Sequence, residues 1–524
     1  MKGLPAETDF VVIGAGVAGL RAAITLASAG QVLVLSKSAA SAPGVSSDVL
    51  SDEEEVILHL QDTLIAGDGL CIPEAVKILE QEAVERIEEL IGWGHHLEKN
   101  KTTLVFESEA SYKHSHVLRA PGESARSEVL RVLRAKAHAS KNITVMEAEF
   151  CAELLTEGGR VVGVSLIGDK GLPEHITCSA VMLATGGLGQ IFRNTTNSES
   201  ATADGVAMAF RAGAEIADIE FIQFHPTTLY MKKAPRFLLA EGLRSEGAFL
   251  RNIEMDRFMG KYHPRAEMAP ADMVARAIMH EMEVSRARDP FVYLDLTHLD
   301  AAKVQKRFPR IYATCMKHNI DITEDLIPVR PAAHCAIGGV RTNLDGKTSL
   351  DGLFAAGEVA ATGVHGANRF PSNSLLEALV YGARAGKAMR EVLKRPRRLA
   401  PHEKKAASQN GPVDAGVEEL IGQIQDAMWK GAGIVRTRAS MQEAIQLLEG
   451  LPPRVAHPCT RRSQEAANLH LAGLLVARSA LAREESRGAH YRTDYPAHDD
   501  KKFLKHSVVA ANGVNLFNRS AFAL

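Results

Sequence analysis

The chain is predicted to be α/β, with a Rossmann-like dinucleotide-binding domain, an inserted α+β segment and a helical C-terminal region. Three observations predict this. A glycine-rich turn, "GAGVAGL", joins a short apolar run to an alanine-rich stretch near the start. Two later apolar runs, "AVMLATGG" (180–187) and "GLFAAGE" (352–358), end in glycines. The texture also changes twice along the chain, near residues 219 and 394.

Residues 10–13, "FVVI", form a continuous apolar run of the kind buried on both faces of a parallel sheet. Gly14, Ala15, Gly16, Val17, Ala18 and Gly19 follow, and a helix is expected to run to near Gly30. In such a turn the first glycine permits the tight bend. The second lets a pyrophosphate approach the backbone, and the third lets helix pack on strand. The helix N–H groups then face the anion. "QVLVL" (31–35) is the second strand and completes a β-α-β unit. It ends in Ser36-Lys37 and not in a ribose-binding carboxylate, so NAD is a poorer ligand than the motif alone implies. Residues 73–91 place Val76, Leu79, Val84, Ile87 and Leu90 at helical spacing, with Pro73 in the first turn. "RVVGVSLI" (160–167) is a further strand, as are the two glycine-ended runs. Glu358, closing the second of these, is either a helix-capping carboxylate or a cofactor ligand.

The expected boundaries are 1–218 with 336–398 for the nucleotide-binding domain and 219–335 for the insertion. A polar linker at 399–416 and a helical region at 417–524 follow. Among 524 residues, 46% are hydrophobic and 24% charged, and the net charge is −2. No basic field exists to hold nucleic acid or anionic lipid. The cysteines at 71, 151, 178, 315, 335 and 459 form no C-x-x-C pair. That argues against a zinc or disulfide framework, predicts no metal and fits a reducing compartment. The start lacks a basic segment followed by an unbroken apolar run, and no apolar stretch is long enough to span a bilayer. A cytoplasmic protein without a membrane partner is expected.

Five segments carry a resemblance: "ADGVAMAFRAGAEIADIEFIQFHPTTLY" (203–230), "RPAAHCAIGGV" (330–340), "GEVAATGVHGANRFPSNSLLEALVYG" (357–382), "GIVRTRASMQEA" (433–444) and "REESRGAHYRTDYP" (483–496). Over nearly the whole chain the sequence resembles the L-aspartate oxidase family, within the succinate dehydrogenase and fumarate reductase flavoproteins. The resemblance implies a two-dinucleotide FAD-binding domain, a capping domain, a C-terminal helical domain, and substrate between the first two. It implies oxidation of L-aspartate to iminoaspartate, with hydride passing from the α-carbon to flavin N5 and reoxidation by oxygen or fumarate. The product would feed quinolinate and NAD synthesis, with quinolinate synthase as a partner. The small-molecule partners are dicarboxylates: L-aspartate, fumarate and succinate.

By the same resemblance, the Gly14–Gly19 turn, Lys37, Asp204, Glu358, Ser374 and Leu375 bind the cofactor. His225, His334, Arg369 and Glu241 bind substrate, with Glu241 and His225 also catalytic. The residue chemistry agrees: a guanidinium such as Arg369 can grip a carboxylate bidentately, and an imidazole can bond a carboxylate oxygen. Glu109 is a weaker match to another active-site carboxylate. No histidine lies between Lys37 and His59, where the respiratory relatives attach flavin, so FAD is expected to be non-covalent.

The sequence departs from the family in four places. A glycine-rich loop after the second strand is missing from "SAPGVSSDVLSDEEE" (41–55), which predicts weaker FAD binding. Ala203 replaces a usual glycine, and Ala240 a usual threonine. Ala271 stands where the family has its catalytic arginine, although Pro270, Asp272, Val274, Ala275 and Arg276 all match. Two other readings therefore stand beside an active oxidase: a catalytically impaired or non-catalytic flavin- and dicarboxylate-binding descendant, and a fumarate reductase or succinate dehydrogenase-type flavoprotein.

Overall fold

A computed structural model describes residues 4–38, 53–95, 99–100, 103–104, 106–108, 115–118, 125–168, 172–231, 234, 236–371, 373–392, 416–451, 460–510 and 513–517. Most of the expected shortened flavin loop (39–52), Glu109, and nearly all of the linker, from 393 to 415, lie outside these residues.

The apolar run Phe10–Ile13 (β1) is the middle strand of a five-stranded parallel sheet. Its order is Leu353–Ala355, Ala180–Leu183, β1, Val32–Ser36 (β2), Ile143–Glu147. All four residues of β1 are buried, as a continuous apolar run in a parallel sheet requires. The first helix, α1, spans Val17–Leu26 and ends before the expected Gly30. The chain is turned there by Asp9, whose carboxylate accepts the Gln31 N–H at 2.7 Å. Gly30 packs on the same side chain, where a Cβ would lie under 3.0 Å away.

Helix Pro73–Gly92 buries Val76, Leu79, Ala83, Ile87 and Leu90. Val84, expected on that face, is instead 36% exposed. At 3.6 residues per turn Ala83 holds the stripe position and Val84 rotates out of it.

The segment expected as an insertion holds a sheet and a core of its own. The sheet runs Ile222–Leu229, Ile327–Ala336, Val292–Asp295, Phe249–Arg251. Helix Ala271–Val284 contributes Val274, Ala277 and Ile278 to a core that also holds Leu229, Ile327 and Val329. The paired strands Ile222–Leu229 and Ile327–Ala336 run between two cores. Ile222, Phe224, Ala333 and Ala336 belong to the one around the parallel sheet, and Leu229, Ile327 and Val329 to the one in the insertion. His225 and His334 sit on these strands at the crossing.

The C-terminal region is helical over Val417–Gly431, Arg438–Glu449 and Arg461–Ala482. Its end corrects the expectation of a helical region to 524. Strand His506–Ala510 returns to pair antiparallel with Ile216–Ala217, and Gly513–Phe517 pairs antiparallel with His506–Ala510 in turn. Asp218 fixes the return, accepting from His506 Nδ1 at 2.6 Å and from the Ser507 N–H at 3.1 Å. β-branched Val508 and Val509 suit the strand. Among the described residues no helix is long and apolar enough to cross a membrane.

Candidate functional site

The dinucleotide turn begins where β1 ends. Gly14 has φ +116°, open to glycine and not to other residues. A Cβ there would fall under 3.0 Å from the Ala184 carbonyl. A Cβ on Gly19 would fall under 3.0 Å from the Gly14 carbonyl. The turn is thus closed on the strand side. On the other side it is open: a Cβ on Gly16 would meet nothing within 4 Å. Gly16 caps α1 without any side-chain hydrogen bond, so the first N–H groups of the helix remain for an anion. Gly186, at φ +77°, likewise borders open space. The neighbouring Thr185 hydroxyl is buried without a hydrogen-bond partner among the described residues. An open cradle, uncapped N–H groups and an orphaned hydroxyl fit an elongated phosphate-containing cofactor.

Helix Asn373–Glu391 lies close along α1 because Gly382 and Gly386 admit the α1 backbone. A Cβ at either position would fall under 3.0 Å from the Ala18 or Ala22 carbonyl. This approach brings Ser374 and Leu375, in the first turn of that helix, toward the glycine turn. The loop preceding the helix carries Arg369, which is buried. Arg369 Nε donates to Gln223 Oε1 at 2.9 Å, and Nη1 reaches Ser374 Oγ at 3.5 Å. Gln223 returns a bond from Nε2 to the Arg369 carbonyl at 2.8 Å. Arg369 Nη2 has no partner among the described residues.

The two histidines come together, with ring centroids 5.8 Å apart. Each commits Nδ1 to the protein. His225 Nδ1 is 3.1 Å from the Thr227 carbonyl and 3.3 Å from the Thr227 N–H, which donates to it in the Nε2–H tautomer, and His334 Nδ1 is 2.8 Å from Thr196 Oγ1. Neither Nε2 has a protein partner among the described residues. Burial holds both imidazoles neutral. His225 is pushed well below the usual histidine range, with His334 and the Arg244 charge adding to the effect. His334 is pushed down to about 3 by burial and then by the Arg369 charge.

Glu241 Oε1 lies 3.1 Å from Nη2 of fully buried Arg244, which also donates from Nη1 to the Glu267 carbonyl at 2.7 Å. Glu241 Oε2 is buried and has no hydrogen-bond partner among the described residues. Ala271 is the first residue of helix Ala271–Val284, whose N-terminus has no side-chain cap. Glu358 accepts the Ala336 N–H at 3.0 Å. Burial raises its carboxyl above the usual range, against that bond and the Arg126 and Arg369 charges.

Lys37 and Asp204 meet each other. Lys37 Nζ lies 2.6 Å from Asp204 Oδ2 and 2.5 Å from Thr202 Oγ1. Ala203, read as an unusual replacement for glycine, adopts φ +62°. An L-residue holds that conformation at a cost of roughly 1–2 kcal/mol. Sequence reasoning missed Gln223, Arg244, Thr185 and Arg126. Gln223 carried a signal, being a polar residue in an apolar run two positions before His225. Arg244 carried none, because an arginine in "GLRSEG" reads as surface.

Residues 9–375 match the model of an FAD binding domain, and residues 422–519 match that of the fumarate reductase flavoprotein C-terminus. The chain is 38% identical to L-aspartate oxidase of Streptomyces coelicolor, over 96% of this chain and 91% of the relative. It is 38% identical to chloroplastic L-aspartate oxidase of Arabidopsis thaliana, over 94% and 82%. Among solved structures, E. coli quinol fumarate reductase superposes with TM-score 0.88 at 29% identity, covering 98% of this chain and 96% of that one. FAD is the cofactor that this combination of cradle and family implies. By sequence over nearly its full length and by fold, the chain belongs to the L-aspartate oxidase family of the succinate dehydrogenase and fumarate reductase flavoproteins.

Proposed function

We propose that the protein oxidises L-aspartate to iminoaspartate, with non-covalent FAD held by the Gly14–Gly19 turn, Lys37, Asp204, Glu358, Ser374 and Leu375. The observation that carries this reading is the convergence of Arg369, His225 and His334, on strands and a loop that meet beside the cofactor cradle. When bound, FAD supplies the hydride acceptor. The protein's residues do the rest. Arg369 Nη1 and Nη2 grip one substrate carboxylate, while Gln223 fixes the plane of the guanidinium. His225 and His334 donate Nε2–H to the other carboxylate, in the tautomer in which His225 Nδ1 accepts the Thr227 N–H and His334 Nδ1 accepts from Thr196 Oγ1. Glu241 Oε2 meets the substrate ammonium and takes part in proton movement. Residues 219–335 are read as the cap over this site; their separate sheet and core support that. Cytoplasmic location and transfer of the unstable product to quinolinate synthase belong to the same reading.

Higher identity to L-aspartate oxidases than to fumarate reductase favours the oxidase over a respiratory reductase. Ala271 favours a second reading, an impaired or non-catalytic descendant, because alanine carries no charge and no titratable group. Loss of a positioned proton-transfer group costs roughly 10²–10⁴ in rate.

Turnover of L-aspartate with added FAD, with oxygen or fumarate as acceptor, separates these readings. The parent should be slow, and Ala271→Arg should gain at least about tenfold. Parent turnover at about 1–10 per second would overturn the role assigned to Ala271. FAD-loaded parent and variant that both fail to oxidise aspartate would overturn the oxidase reading and leave the binding-only one.

A further inference from the structure

We infer that the first two turns of the C-terminal helix Arg461–Ala482 form part of the cofactor site, positioning Lys37 and Asp204 for the adenosine end of FAD. The inference rests on the reading of Lys37 and Asp204 as cofactor residues.

In a Rossmann-type unit the ribose is met at the end of the second strand, where a carboxylate usually stands. Here β2 ends in Ser36-Lys37, and the carboxylates at this point come from elsewhere. Lys37 Nζ is held by Thr202 Oγ1, Asp204 Oδ2 and, at 3.2 Å, by Glu465 Oε1. Arg461 Nη1 donates to the Lys37 carbonyl at 2.5 Å, and its Nε to Glu465 Oε1 at 3.0 Å. Asn468 Nδ2 donates to Asp204 Oδ1 at 2.8 Å, and Asn468 Oδ1 accepts from Arg211 Nη1 at 2.9 Å. Positions 461, 465 and 468 share one helix face, so a single rigid element reaches both cofactor residues.

These groups are largely buried: the side chains of Lys37, Asp204 and Glu465 are 14%, 7% and 4% exposed. At that burial the ammonium has little water to replace a lost carboxylate, and its position follows its protein partners. Glu465 therefore fixes Lys37, and Asn468 fixes Asp204. Residues more than 420 positions along the chain complete the end of β2. Glu465 is held ionised despite its burial by Lys37 and Arg461.

The test is a titration of apoprotein with FAD, followed by flavin fluorescence, alongside the apoprotein's thermal midpoint. Glu465→Gln should weaken FAD affinity about tenfold, the effect of removing one charge-assisted bond. Asn468→Ala should act in the same direction. Combined with Lys37→Met, the Glu465 change should add less than about twofold, since it acts through Lys37. Should Glu465→Gln fail to fold, Arg461→Ala, a half-exposed position, supplies the comparison, with a loss of a few-fold expected. Parental FAD affinity in Glu465→Gln, Asn468→Ala and Arg461→Ala, with Lys37→Met and Asp204→Asn weakened, would overturn the inference alone. If Lys37→Met and Asp204→Asn also bind FAD as the parent does, the cofactor assignment of those two residues falls first. A lower thermal midpoint with unchanged FAD affinity would show a purely structural contact and overturn the inference.

Discussion

Arg369 answers at the residue scale why a charged side chain sits in a loop of small residues. Its Nε bond to Gln223 fixes the guanidinium, and Nη2 remains without a partner among the described residues. A buried cation with donors to spare is organised for an anion before the anion arrives. Arg369→Ala should therefore abolish the flavin spectral change that succinate or fumarate produces. Removing a charged partner from such a site costs about 3–5 kcal/mol, or two to four decades of affinity. Equal succinate affinity in parent and variant would remove Arg369 from the substrate site. Its neighbours are neutral by construction: burial and the Arg369 and Arg244 charges keep both imidazoles deprotonated. They can then serve as hydrogen-bonding groups without adding a charge that a substrate-free site must carry.

At the scale of elements, the strand–turn–helix unit separates folding from binding within six residues. Gly19 is needed by the protein itself, because a Cβ would strike the Gly14 carbonyl. Gly16 faces open space, so the protein's own packing does not require it, and in the proposed function only the ligand does. Gly19→Ala should lower the apoprotein's thermal midpoint through overpacking worth about 1–3 kcal/mol. Gly16→Ala should leave that midpoint almost unchanged and still weaken FAD binding. Calorimetry of the apoproteins and fluorescence titration with FAD measure the two effects separately. A destabilised Gly16→Ala apoprotein would contradict the division. The same logic was legible in part from the sequence: the spacing of Gly14, Gly16 and Gly19 announces the turn. The packing role of the third glycine was legible too; that Gly14 is also closed was not, since it depends on the Ala184 carbonyl, which arrives 170 residues later.

At the scale of the whole molecule, buried charge ties the C-terminal region to Glu220, beside the start of strand Ile222–Leu229. Arg483 and Glu220, both fully buried, pair at 2.8 Å, and Ser507 Oγ donates to Glu220 Oε2 at 2.6 Å. Arg436 donates to the Glu220 carbonyl at 2.8 Å and contacts His490 Nδ1 at 2.7 Å. Burial beside Arg436 and Arg483 pushes His490 well below the usual histidine range. With His225 and His334, three imidazoles are thus kept neutral in the native state. In the unfolded chain the same groups take protons below about pH 6.5. The unfolded state then binds more protons, so stability is full above that pH and falls as the pH drops through it. Each histidine contributes up to about 1.4 kcal/mol per pH unit in the window from about 6.5 to 5. The thermal midpoint should decline over that window, and His490→Asn should flatten the decline. A midpoint independent of pH between 7 and 5 would show that these imidazoles are protonated in the folded protein.

Local pattern was enough to reveal the β-α-β unit, its glycine turn and the polar loop around Arg369. Apolar runs, glycine spacing and the polarity of a loop are properties of neighbouring residues, and the sequence displays them directly. It did not reveal that Val84 turns outward, that the chain's end returns as a strand beside Ile216, or that Lys37 is held by Glu465. Nor did it reveal that Arg244 is a core residue tied to Glu241 and Glu267. Each of these depends on which distant segment arrives to satisfy a charge or fill a stripe. That pairing is decided by packing of the whole chain, where a buried ammonium must find a carboxylate wherever the fold brings one.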